Sequence, residues 1–96
     1  MMVLISYDVC TQNAAGRKRL RLVAKKCQSR AQRVQNSVFE ANLDYGEFVK
    51  LKGELTKIID AGHDSLRFYY LGNDWHNKIE HIGAKEGYDS EGVLIV

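Results

Sequence analysis

The chain has 96 residues, 45% of them apolar, and a formal net charge of +2. That is room for one domain, 1–96, and a chain of this size hides only roughly 60–65% of its unfolded surface when it folds, so its core is thin and a second subunit would help it. Two cysteines, Cys10 and Cys27, are too few for a disulfide scaffold and match no zinc spacing, and apolar runs such as Val93-Leu94-Ile95-Val96 are far too short to cross a bilayer.

The start, Met1-Met2-Val3-Leu4-Ile5, carries no basic segment and soon meets Asp8, so no secretory leader is expected. The composition suits a soluble, cytoplasmic protein without a membrane role. Residues 3–10, rich in β-branched and aromatic side chains, predict a strand. A period of two puts Val3, Ile5, Tyr7 and Val9 on one apolar face, toward helices, and Leu4, Ser6, Asp8 and Cys10 on a mixed face suited to an interface or a site. Asn13 is placed to cap a helix running to about Gln28, whose buried stripe is Leu20, Val23, Ala24 and Cys27. Residues 32–43 are extended in character but too long for one strand, so two strands that turn or bulge near Asn36 are expected. Residues 44–61 predict the clearest helix. Asp44 and Glu47 form a capping-box pair, Leu43 and Phe48 a hydrophobic staple, Phe48, Leu51, Leu55, Ile58 and Ile59 a buried stripe, and Gly62 the stop. A strand over 66–71, a short strand over 78–82 and a terminal strand over 92–96 complete the chain. The order β-α-β-β-α-β plus one or two short strands predicts an α+β, ferredoxin-like fold, an antiparallel sheet with two helices on one face. The bare face invites a second copy.

Charge is segregated along the chain. Residues 1–39 hold eight bases and one acid, and residues 40–96 six bases and eleven acids. The bases Arg17, Lys18, Arg19, Arg21, Lys25, Lys26, Arg30 and Arg33 follow one another with no acid between them. A solvated helix face would explain a short run of this kind, but eight bases without an acid favour a polyanion such as nucleic acid. Asp8, at the end of the first strand on its mixed face, is the first candidate for chemistry. One carboxylate is a poor magnesium site, whereas a two-fold axis would supply a second Asp8. A strand-end aspartate that accepts hydrogen bonds from the following turn is the alternative. His63, His76 and His81 show no metal-ligand spacing and suit solvent-facing or structural roles, and the cysteines suit packing. Tyr69, Tyr70 and Trp75 could stack on bases, though aromatic residues in strands more often pack a core.

Tyr7-Asp8, Arg17-Lys18-Arg19 and Arg33-Val34-Gln35-Asn36-Ser37-Val38-Phe39-Glu40 form one pattern. It resembles the CRISPR-associated protein two family, the small non-integrase subunit of the spacer-acquisition machinery. The motifs span residues 3–40, and the length and element order fit over the whole chain. Ala15-Gly16-Arg17-Lys18-Arg19-Leu20-Arg21 and the ending Gly92-Val93-Leu94-Ile95-Val96 are similar to members of type I-C systems. The resemblance implies a ferredoxin-like homodimer whose C-terminal segment packs on its partner, with two facing Asp8 residues holding a divalent metal, Mg²⁺ or Mn²⁺. It implies cleavage of single-stranded RNA or duplex DNA, and a scaffold role that holds duplex DNA for an integrase. Asp8 is then the metal ligand, and Tyr7, Arg17, Arg19, Arg33, Ser37 and Phe39 the residues around it that affect cleavage. Arg17, Lys18, Arg19, Arg21, Lys25, Arg30 and Arg33 are the implied nucleic-acid contacts, with Arg19 and Arg21, and Arg30 and Arg33, as alternatives for the key phosphates. A purely non-catalytic scaffold and an endoribonuclease toxin of the virulence-associated type are the competing functions. An acylphosphatase-like enzyme is disfavoured by the missing Gly-rich phosphate loop.

Overall fold

A computed structural model describes residues 1–71 and 79–84. The first strand, β1, spans Met2–Asp8 and alternates as its side chains dictate, with Val3, Ile5 and Tyr7 buried. It is one residue longer at its start and two shorter at its end than the pattern predicts. Cys10 leaves the sheet because its backbone N–H is taken by the Asp64 carboxylate at 2.9 Å.

Helix α1, Ala14–Gln28, starts where Asn13 caps it, its side chain accepting the Gly16 N–H at 2.8 Å. Val23 and Cys27 are fully buried, and Leu20 and Ala24 pack beside them, so the predicted stripe faces the core. Gly16 is required by closeness: a Cβ there would lie 1.9 Å from the Cys10 carbonyl oxygen. Its bare backbone lets the first turn of α1 press against the end of β1.

Strands β2, Gln32–Gln35, and β3, Val38–Asn42, turn at Asn36-Ser37, with a register shift between Arg33 and Gln35. The expected split near Asn36 is therefore present. Helix α2, Tyr45–Ile58, carries the full capping box: Asp44 accepts the Glu47 N–H at 2.7 Å and Glu47 accepts the Asp44 N–H at 3.0 Å. Leu43 and Phe48 are both buried, as a staple requires. The helix stops at Ile58 rather than running to Ala61, because Ile59 is extended and the Asp60 N–H turns to Asp64 Oδ2 at 2.9 Å. The Asp60 carboxylate also accepts the Gly62 N–H and contacts His63 Nδ1, which closes a turn in place of another helical turn.

Strand β4 spans Ser65–Leu71 and β5 spans Ile79–Gly83, one residue later at each end than the short strand expected there. The expected strand over 92–96 lies outside the described residues, as do Trp75 and His76. The sheet order is β2-β3-β1-β4-β5, and every neighbouring pair is antiparallel. This is the ferredoxin-like α+β plan with one added strand. Core side chains from β1, β3 and β4 meet both helices on one side of the sheet, where Phe48 sets its ring edge-on to Phe68 and Tyr70, each at 5.6 Å. No described helix is long and apolar enough to cross a membrane.

Candidate metal and phosphate site on the open sheet face

The strand registers place one row of residues across the open face in the order Gln35, Val38, Ser6, Arg67 and His81. Asp8 lies one row further along, opposite Ser65, which in turn faces Gly83. Residues paired across an antiparallel ladder project to the same side, so Asp8, Ser6, Ser65, Arg67 and His81 share this face. A hollow of about 160 Å³ forms there, lined by Ser6, Tyr7, Asp8, Ser65 and Arg67. Asp8 itself is exposed at the end of β1.

The hollow's base is held from behind by a buried carboxylate. Asp64 has no solvent exposure, and both of its oxygens are fully engaged. Oδ2 accepts Arg19 Nε at 2.7 Å and the Asp60 N–H at 2.9 Å, while Oδ1 accepts the Cys10 N–H at 2.9 Å and Arg19 Nη2 at 3.3 Å. Burial pushes the Asp64 carboxyl up. The Arg19 guanidinium and the two backbone donors outweigh burial and hold it below the usual carboxylate range. This one residue ties the loop after Asp8, helix α1 and the turn before β4 together. Gly83 backs it from β5, with φ at +120° and a position where a Cβ would sit 2.0 Å from the Asp64 carbonyl oxygen.

The predicted site residues divide between three places. Asp8 is on the open face. Tyr7, Arg33 and Phe39 form a cluster on the helix side, with Tyr7 and Phe39 stacked at 6.1 Å and the Arg33 guanidinium 5.1 Å from the Phe39 ring centre. Burial raises the Tyr7 pKa and Cys27 adds to the effect, while Arg33 opposes both. The Tyr7 hydroxyl donates to the Asn36 carbonyl at 3.3 Å, and its N–H donates to the Ser37 carbonyl at 3.1 Å. Tyr7, Arg33, Ser37 and Phe39 therefore join the β2–β3 turn to β1, and of the four Tyr7 also lines the hollow beside Asp8. Arg19 turns inward to a carboxylate. Its guanidinium is engaged by Asp64 and so is not presented to a phosphate in this conformation.

Arg17, Lys18, Arg21 and Lys25 are exposed on α1, Arg30 is half-buried, and Lys26 is paired with Glu54 of α2 at 3.5 Å. The face of α1 thus keeps most of the predicted cationic surface. Sequence reasoning missed Asp64, Ser65, Arg67 and His81. Asp64 and Ser65 carried no motif, and the other two are joined to Asp8 only through strand register. His81 Nδ1 accepts Arg67 Nε at 3.1 Å, a contact within the sheet that fits a structural role.

Among the described residues no three His, Cys, Asp or Glu side chains converge as a metal-ligand set. A divalent ion here fits the residues present only if a second Asp8 joins the first, with water and phosphate oxygens completing its shell.

Residues 1–79 match the family model described as CRISPR associated protein Cas2. The chain is 54% identical over 96 residues to the CRISPR-associated endoribonuclease Cas2 of Chlorobaculum tepidum, covering 100% of both. It is 57% identical over 95 residues to the CRISPR-associated endonuclease Cas2 of Halalkalibacterium halodurans, covering 99% of both. The crystal structure of Streptococcus pyogenes Cas2 at pH 6.5 superposes with a TM-score of 0.70 at 59% identity, over 79% of this chain and 92% of that one. With its ferredoxin-like sheet, its Tyr7-Asp8 strand end and full-length identity of this degree, the chain belongs to the CRISPR-associated Cas2 family.

Proposed function

We propose that the chain is a metal-dependent endonuclease of CRISPR adaptation, acting on phosphodiester bonds of RNA or DNA in the cytoplasm as a homodimer, and that it also holds duplex DNA for an integrase subunit. The observation that carries the nuclease reading is the placement of Asp8: an exposed carboxylate beside Ser6, Ser65 and Arg67, at a strand end braced by the Asp64 clamp. Asp8 from two copies would hold the Mg²⁺ or Mn²⁺. When bound, the ion supplies Lewis-acid charge at the phosphate and a more acidic water. The chain's own residues do the rest. Asp8 fixes the position of the charge, the Asp64–Arg19–Cys10 clamp holds the loop that follows it, and the exposed bases of α1 attract the polyanion. The same α1 face favours the scaffold role, because it lies apart from the hollow and needs no cleavage.

Asp8→Asn separates the two roles. The variant should lose cleavage of a short RNA and a duplex DNA in Mg²⁺ by at least ~100-fold, as should EDTA added to the unsubstituted protein. Duplex affinity, read by fluorescence anisotropy, should be retained. Undiminished cleavage by the Asp8→Asn protein would exclude Asp8 as the metal ligand.

A further inference from the structure

We propose that Asp64 is the positioning residue of the Asp8 site, and that Arg19 acts on cleavage by orienting Asp64 rather than by gripping phosphate. The inference rests on the nuclease reading above and adds what sets the place of the metal-binding carboxylate. The β1–β4 ladder ends at the Asp8–Ser65 pair. A terminal pair has ladder neighbours on one side only and is the first to fray. Asp8 therefore stands at the loosest point of its strand, whereas a metal ligand needs a fixed position.

Asp64 directly precedes Ser65, and its side chain crosses to the β1 side and takes the Cys10 N–H at 2.9 Å. The carboxylate thus adds a rung beyond the last ladder pair, just after Asp8. The backbone of the same residue does this toward β5, where the Asp64 carbonyl accepts the Ala84 N–H at 3.0 Å, past the Ser65–Gly83 pair. One buried residue therefore ties down the ends of both strands that flank Ser65. Arg19 sets the direction of its carboxylate. Arg19 Nε meets Oδ2 at 2.7 Å and Nη2 meets Oδ1 at 3.3 Å, and the Asp60 and Cys10 N–H groups occupy the remaining lone pairs. A planar fork fixes the plane of a carboxylate, which a lysine ammonium cannot match. Neither Arg19 nor Asp64 lines the hollow, so both act through the backbone that carries Asp8.

The test uses the full chain. Asp64→Asn keeps the volume, but its amide nitrogen must face one pair of donors, so either the rung or the fork is lost. Arg19→Lys keeps the charge and loses the fork, and it serves if Asp64→Asn does not fold. Both are compared with the unsubstituted protein at a temperature where circular dichroism shows them folded. In cleavage of a short single-stranded RNA, each should raise the half-saturating Mg²⁺ by ~10-fold, the scale of disturbing a group that supports a metal ligand. Most of the rate should return at saturating Mg²⁺. Loss of folded protein alone would instead lower the rate by one factor at every Mg²⁺ concentration. Two readouts need no catalysis. Mn²⁺ binding, followed by electron paramagnetic resonance, should weaken by a similar ~10-fold, and amide exchange over residues 8–10 should quicken relative to the rest of β1. An unchanged Mg²⁺ midpoint or Mn²⁺ affinity in the folded variants would overturn the proposal, as would a uniform loss of rate, which would leave Asp64 a folding role only. If Asp8→Asn cleaves and binds Mn²⁺ as the unsubstituted protein does, it is the nuclease reading that fails. Amide exchange over residues 8–10 then decides alone, and unchanged exchange in Asp64→Asn would overturn the positioning role.

Discussion

Asp64 is shut away from water yet remains ionised, and its partner Arg19 stands in the middle of the most basic stretch of the chain. Reading the stretch as a row of phosphate contacts overlooks this, because the acid that claims Arg19 is 45 residues away in sequence. Only the packing of α1 against the turn before β4 brings them together. Removing Arg19 leaves the buried Asp64 charge uncompensated, so Arg19→Met should lower stability. The pH dependence identifies the cause. In the native protein the Asp64 pKa is depressed, so its contribution is complete above the unfolded value of about 3.9 and is lost as pH falls through the folded value. Without Arg19 burial dominates and the pKa rises, so protonation relieves the penalty. The stability gap between the two proteins, measured as urea midpoints, should therefore narrow from pH 7 to pH 3. A constant gap would show that Arg19 acts through packing alone.

At the scale of elements, what depends on neighbours in sequence was legible and what depends on register was not. The Asp44–Glu47 box, the Asn13 cap and the α1 stripe are local hydrogen-bonding and periodicity signals, and each has its predicted partner. Alternation along β1 also placed Tyr7 and Asp8 on opposite faces, although the family pattern groups them in one site. The hollow at Asp8 required knowing that Ser65 and Arg67 lie beside β1 and that His81 lies beyond β4, which no local pattern carries. Helix α1 then becomes two surfaces. Arg17, Lys18, Arg21 and Lys25 face solvent, whereas Arg19 faces inward. Duplex binding should follow that division. Replacing the four exposed bases by Gln should weaken binding and flatten log K against log salt by up to about 3–4. Arg19→Lys, tested at a temperature where it stays folded, should leave the slope unchanged. Equal slopes in all these proteins would move the duplex site off α1.

At the scale of the molecule, the two helices among the described residues cover the same side of a sheet of five described strands. Across the other side run Leu4, Val38 and Ile79, all half-buried, with Met2 and Leu71 each 37% exposed. Apolar side chains spread over a sheet face are a poor fit to water and a good fit to their own copy, since a two-fold axis presents the same rows to each other. Asp8 lies on this face, so the same axis that would cover the apolar rows could bring a second carboxylate to the first. Assembly and metal binding are then coupled. Light scattering at micromolar concentration should give twice the 10.9 kDa chain mass. Leu4→Glu, which places a charge in the centre of the face while leaving the helix-side core untouched, should shift the protein toward monomer and lower Mg²⁺-dependent cleavage with it. A Leu4→Glu monomer that cleaves as fast per chain as the dimer would mean that one Asp8 suffices. A monomeric mass for the unsubstituted chain would mean that this face is covered by something other than a second copy.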